Sequence, residues 1–156
     1  MLNVGDIAPD FELQNQQGET VRLSALRGKT VVLYFYPKAD TPGCTKESCA
    51  FRDARTQFDA ADAVILGISP DTVSSQLAFA EKYGLPFSLL ADPDHQVADA
   101  YGVWGEKTNY GKTYMGIIRS TFVIDPEGRL SHIFRNVKVD GHSDAVLTAV
   151  RERAAK

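Results

Sequence analysis

No basic block stands out in this chain, and 17 basic residues against 20 acidic ones leave a net charge of −3. The electrostatic footprint of a nucleic-acid binder is missing, which excludes nucleic acid as a partner. No uninterrupted apolar run approaches the ~18 residues that a membrane-spanning helix needs, so no membrane association is expected. The opening "MLNVGDIAPDFEL" has neither the basic nor the apolar region of a secretory signal, which points to a cytoplasmic protein. Repeats, low-complexity tracts and linkers are absent as well. A single domain spanning residues 1–156 is expected, long enough to bury roughly 70% of its unfolded surface without covalent staples.

Cysteine is scarce too. There are two, and both lie in "DTPGCTKESC" (Asp40–Cys49). In a reducing compartment such a pair points to catalysis, redox sensing or metal binding more than to a structural bridge. The histidines (His95, His132 and His142) are scattered and match no common zinc spacing, and two cysteines with four intervening residues make a poor closed tetrahedral site. No metal and no other cofactor is expected.

What is present is an alternation of strand-like and helix-like segments. "DFEL" and "TVRL" flank the turn-like "QNQQGE" and predict an N-terminal β-hairpin. "SALRGK" reads as one helical turn. "TVVLYFY" (Thr30–Tyr36) has no polar alternation, as befits a strand buried on both faces. Phe51, Ala54, Phe58 and Ala61 recur at helical spacing after the cysteines. "AVILGIS" and "FSLLAD" predict further strands, and "TVSSQLAFAEKYG" and "HQVADAYG" helices. A loop containing glycine and tyrosine is expected from Val103 to about Gly116. "STFVID" and "RLSHIFR" then form a hairpin around "PEG", and Ser143 caps a last helix, "DAVLTAVRERAA". This order predicts an α/β protein with a mixed central sheet covered by helices on both faces. The late hairpin needs an antiparallel pair, so the sheet is not purely parallel.

The cysteines sit at a strand-to-helix junction. Pro37, Pro42 and Gly43 punctuate the exit from the strand, and a helix starts near Gly43–Thr45. A thiol at Cys44 meets unpaired backbone N–H groups and the positive end of the helix dipole, which favour thiolate and hence nucleophilic attack. The Thr41 hydroxyl is placed to donate toward that sulfur or a bound oxygen, and Gly43 has no side chain to block an approaching ligand. By helical phase Cys44 shares the core-facing stripe with Phe51 and Phe58, whereas Cys49 lies about 140° away among polar residues. Five residues along a helix separate Cα atoms by about 8–9 Å. A disulfide needs less than about 7 Å, so joining the two sulfurs requires the first turns to unwind. The order that fits is oxidation of Cys44 to a sulfenic acid in the folded pocket, followed by condensation with Cys49 after local opening.

These residues resemble a known family. Pro37, Thr41 and Cys44, spaced as "P-x-x-x-T-x-x-C", match the signature of the peroxiredoxins. Cys49, within "TPGCTKESCAFRD", resembles their bacterioferritin comigratory protein, or peroxiredoxin Q, subfamily. "GDIAPDFEL", "LLADPDHQVADAYGVW", "YGKTYMGIIRSTFVID" and "DGHSDAVL" extend the likeness over nearly the whole chain. The resemblance implies a thioredoxin-like fold and reduction of hydrogen peroxide and organic hydroperoxides. In that reading Cys44 is peroxidatic and Cys49 resolving, as in an atypical two-cysteine enzyme, and thioredoxin or a similar dithiol protein is the reductant. Arg119 matches the family's active-site arginine, which reaches Cys44 only if "STFVID" runs antiparallel to "VVLYFY". Pro37 would shield the sulfur. Glu47, expected in the first helical turn, either orients Arg119 or simply answers the helix dipole. A monomer is implied, with a dimer left open. The alternative function is a thioredoxin-like regulatory module whose Cys44–Cys49 pair switches a partner and turns over little peroxide.

Overall fold

The computed structural model describes residues 1–154. Strands β1 (Glu12–Gln14) and β2 (Thr20–Arg22) form the expected N-terminal hairpin, and a short 3-10 turn covers Leu23–Leu26. β3 (Thr30–Phe35) leads to α1 (Pro42–Ala60), and β4 (Ala63–Ser69) to α2 (Val73–Tyr83). β5 (Ser88–Ala91) and α3 (Gln96–Ala100) follow. Then come β6 (Trp104–Asn109), β7 (Lys112–Ile117), β8 (Ser120–Ile124), β9 (Leu130–Phe134) and α4 (His142–Ala154).

Seven strands make one mixed sheet in the order β2-β1-β5-β4-β3-β8-β9. β3 is an interior strand, parallel to β4 and antiparallel to β8. All six of its residues are buried, which explains why its sequence lacks polar alternation. Successive side chains leave a strand on opposite faces, so β3 feeds two cores. Val32, Tyr34 and Tyr36 point with Cys44, Phe51 and Phe58 of α1, Phe79 of α2 and Val146 of α4. Val31, Leu33 and Phe35 point the other way, toward Val97 of α3, Tyr101 and Phe122. Helices therefore cover both faces of a mixed sheet, as the order of segments predicts. Among the described residues, no helix is long and apolar enough to cross a membrane.

Two expectations need correction. The segment expected as a loop from Val103 to about Gly116 is largely a separate antiparallel ribbon, β6 with β7. Its turn at Tyr110 and Gly111 has positive φ at both residues (52° and 77°), the geometry favoured where two strands join tightly. Most of β7 is exposed, so the ribbon carries no buried alternating stripe to announce it. The last helix begins at His142, which places Ser143 inside its first turn instead of at the cap.

Candidate active site

The chain leaves β3 through Tyr36 and Pro37 and turns into α1 at Pro42. Proline suits the first helical position, where its missing N–H would have no partner anyway. Cys44 follows in the first turn and is 1% exposed, packed in the same core as Phe51 and Phe58. β8 runs antiparallel to β3 with Ser120 opposite Phe35, so Arg119 stands beside the end of β3 from which the cysteine loop departs. The condition set by the sequence is met.

Arg119 binds two groups at once. Its Nη2 donates to Cys44 Sγ at 3.3 Å, and its Nη1 donates to Glu47 Oε1 at 2.7 Å. Burial works against the arginine's charge, but Glu47 and Cys44 beside it outweigh that and raise its pKa. Glu47 is 1% exposed, and burial pushes its carboxyl up to about 7 against the opposing pull of Arg119. Glu47 lies in the second turn of α1, not the first, which weakens the simple helix-dipole reading and favours the link to Arg119. Gly43 leaves room for that link, because a Cβ there would stand 3.1 Å from Arg119 Nη2. The missing side chain makes space for the arginine.

Thr41 departs from expectation. It occupies the N-cap position without a side-chain cap bond, and its Oγ1 donates to the Lys38 carbonyl at 2.8 Å. The hydroxyl hydrogen serves the turn in this structure and does not point to the sulfur. Pro37 and Arg119 line an open cleft of about 590 Å³ together with Lys107, Ile118, Asn136 and Val137. Lys107 lies on β6, inside the segment whose sequence reads as loop, so no local pattern marks it. Its Nζ donates to the Ile117 carbonyl at 2.8 Å, and burial, with Arg119 nearby, lowers its pKa.

Both cysteines are free, Cys44 buried and Cys49 half-buried. α1 runs unbroken beneath both, so their separation is that of a regular helix and no bridge can form without unwinding. Several bonds hold this segment. Ser48 Oγ and the Tyr34 hydroxyl share a buried bond of 2.9 Å. Asp40, in a left-handed conformation (φ 58°), accepts from Lys82 Nζ at 2.9 Å and from the Tyr83 hydroxyl at 2.7 Å. Farther along, Arg52 Nη1 donates to the Tyr83 carbonyl at 2.7 Å. Among the described residues, no group of three or more His, Cys, Asp or Glu side chains gathers as for a metal ion.

A buried thiol held by an arginine at the start of a helix, on a sheet of this order, defines a class of thiol enzyme. Residues 4–133 match the AhpC/TSA family, and the chain belongs to it. It is 51% identical over 155 residues to Peroxiredoxin Bcp of Bacillus subtilis, covering 99% of both chains. The bacterioferritin comigratory protein of Xanthomonas campestris, whose alkyl peroxide reduction activity has been studied structurally, superposes with a TM-score of 0.88 at 44% identity. The match covers 92% of each chain. A cysteine-to-serine mutant of PrxQ from Xylella fastidiosa superposes with a TM-score of 0.93 at 37% identity, covering 99% of this chain and 98% of that one. The thioredoxin-like fold and the thiol peroxidase activity implied by the motifs therefore stand.

Proposed function

We propose that this enzyme, acting as a single domain, reduces hydrogen peroxide and organic hydroperoxides through Cys44 and is recycled through Cys49. The observation that carries this reading is the guanidinium of Arg119 shared between Cys44 Sγ at 3.3 Å and Glu47 at 2.7 Å. The guanidinium on the sulfur stands where negative charge grows as the O–O bond breaks, and its donors meet that charge. The thiolate attacks one peroxide oxygen and becomes a sulfenic acid. The other oxygen leaves as hydroxide or alkoxide and takes up a proton. Pro37, on the cleft wall, limits water at the sulfur. Thr41 would join the site by releasing Lys38 and turning its hydroxyl to the substrate; Gly43 leaves the approach open.

Cys49 then displaces water from the sulfenic acid once the first turns of α1 have loosened. A dithiol protein of the thioredoxin type reduces the resulting disulfide. The guanidinium on the sulfur favours peroxide turnover over a regulatory switch, because a dithiol switch needs no donor for a second oxygen. The protein acts as a monomer in the cytoplasm in this reading. The test follows NADPH consumption with thioredoxin, its reductase and added peroxide. Wild type turns over and Cys44→Ser does not. Cys49→Ser forms one sulfenic acid per chain and stalls, and steady turnover of Cys49→Ser with thioredoxin would remove Cys49 from the cycle.

A further inference from the structure

Glu47 has a second oxygen that the chemistry above leaves unused. Oε2 is buried and has no hydrogen-bond partner among the described residues. It faces His142, whose Nε2 lies 3.9 Å away. His142 is itself buried, edge-on to the rings of Phe51 and Phe134 at 6.0 and 5.4 Å between centroids. The same Nε2 is 2.8 Å from Thr121 Oγ1. Thr121 lies on β8, two residues beyond Arg119, so one strand supplies the arginine and also the hydroxyl that holds the histidine.

Burial, with the charge of Arg119 adding to it, pushes the imidazole down to about 4, so the ring is neutral at neutral pH. A neutral imidazole has one N–H and one bare nitrogen. With the hydrogen on Nε2, Thr121 accepts it and Oε2 of Glu47 lies on its flank. That N–H stays bonded to Thr121 and acts on Oε2 across 3.9 Å as a dipole, with its positive end near the oxygen. The charged and titratable groups around the carboxyl come from four directions: Cys44 on α1, Arg119 before β8, Tyr34 on β3 and His142 on α4. Burial holds the Tyr34 hydroxyl neutral, which leaves Arg119 as the cation and His142 as the neutral donor.

We propose that His142 is a positioning residue: held by Thr121 in the tautomer with its hydrogen on Nε2, it keeps the positive end of that N–H beside Oε2 of Glu47 and so favours the carboxylate that fixes Arg119 against Cys44. This rests on the roles given above to Cys44 and Arg119. The test is infrared difference spectroscopy of the Glu47 carboxyl in the reduced protein, titrated between about pH 5 and pH 9, with Glu47→Gln identifying the band. No peroxide is needed, so failure here is separable from failure of the peroxidase roles. In His142→Phe the carboxyl ionises about one pH unit later than in wild type. Thr121→Val moves it the same way by less, and Thr121→Ser restores it. With a wild-type midpoint of about 7, the ionised fraction at pH 7 drops from about a half to about a tenth, and peroxide reacts about fivefold more slowly. An unmoved midpoint, a downward shift or an unchanged peroxide rate at pH 7 would each overturn the proposal. If His142→Phe does not fold, Thr121→Val and Thr121→Ser carry the same test.

Discussion

The two halves of α1 are built from different materials. Its first half buries Cys44, Glu47 and Ser48, and the last two are held through bonds to Arg119 and Tyr34. Its second half buries Phe51, Ala54 and Phe58 in the apolar core, with Phe51 4.8 Å from the ring of Tyr34 and 5.9 Å from Phe58. A hydrogen bond contributes about 1 kcal/mol net and breaks reversibly, whereas a fully buried aromatic side chain contributes about 1.5–3 kcal/mol. One end of the helix is therefore fixed by packing and the other by polar contacts that local opening can exchange for water. Both sulfurs lie in the first half, although Cys44 itself also packs against the apolar core. A cycle that must unwind the helix around Cys44 can then leave the core intact.

The sharpest way to break this contrast is at the packed end. Phe58→Ala should lower global stability by about 3–5 kcal/mol in urea unfolding, and an effect under ~1 kcal/mol would mean that the far half is not the anchor. At the reactive end, Arg119→Ala should slow peroxide reduction by about 10²–10³, measured as the rate of sulfenic acid formation. Ser48→Ala, which leaves the Tyr34 hydroxyl unpaired, should weaken the first half by about 1–3 kcal/mol. It should also speed closure of the Cys44–Cys49 disulfide after oxidation; slower closure would show that this contact does not restrain opening.

The smallest effect is in the pH dependence of stability. Glu47, raised from 4.5 to about 7, stabilises the fold fully below 4.5 and loses that contribution as pH rises through about 7. His142, lowered from 6.5 to about 4, contributes fully above 6.5 and loses that contribution as pH falls through about 4. The slopes oppose each other between about 4.5 and 6.5, so wild type should be nearly flat there. Glu47→Gln should become more stable as pH rises across that window and His142→Phe less stable, in denaturant titrations at each pH. Parallel slopes in the two variants would contradict the opposed pair.

Local sequence carried the site where the chemistry is local. Pro37, Thr41, Gly43, Cys44, Glu47 and Cys49 fall in one stretch, and helical phase alone separates the buried thiol from the half-buried one. Arg119 needed the antiparallel relation of β8 to β3, which the late hairpin made readable. The β6–β7 ribbon was not readable, because its residues face solvent and Tyr110 takes a turn position where asparagine or glycine would have signalled the hairpin. The direction of the Thr41 hydroxyl depends on a turn carbonyl, which spacing does not reveal. His142 meets Glu47 only because α4 returns to pack on α1 and β8, and no nearby residue advertises that contact.

Tyr83 has a consequence for how the two thiols find each other. Its hydroxyl holds Asp40 before the helix and its carbonyl holds Arg52 after the second cysteine, so residues 41–51 form an arc between two posts on one support. Chain released within such an arc wanders little, and the entropy of closing it is that of a short loop. The wandering sulfur therefore meets its mate at the high effective concentration of a short tether, without recruiting disorder from the rest of the fold.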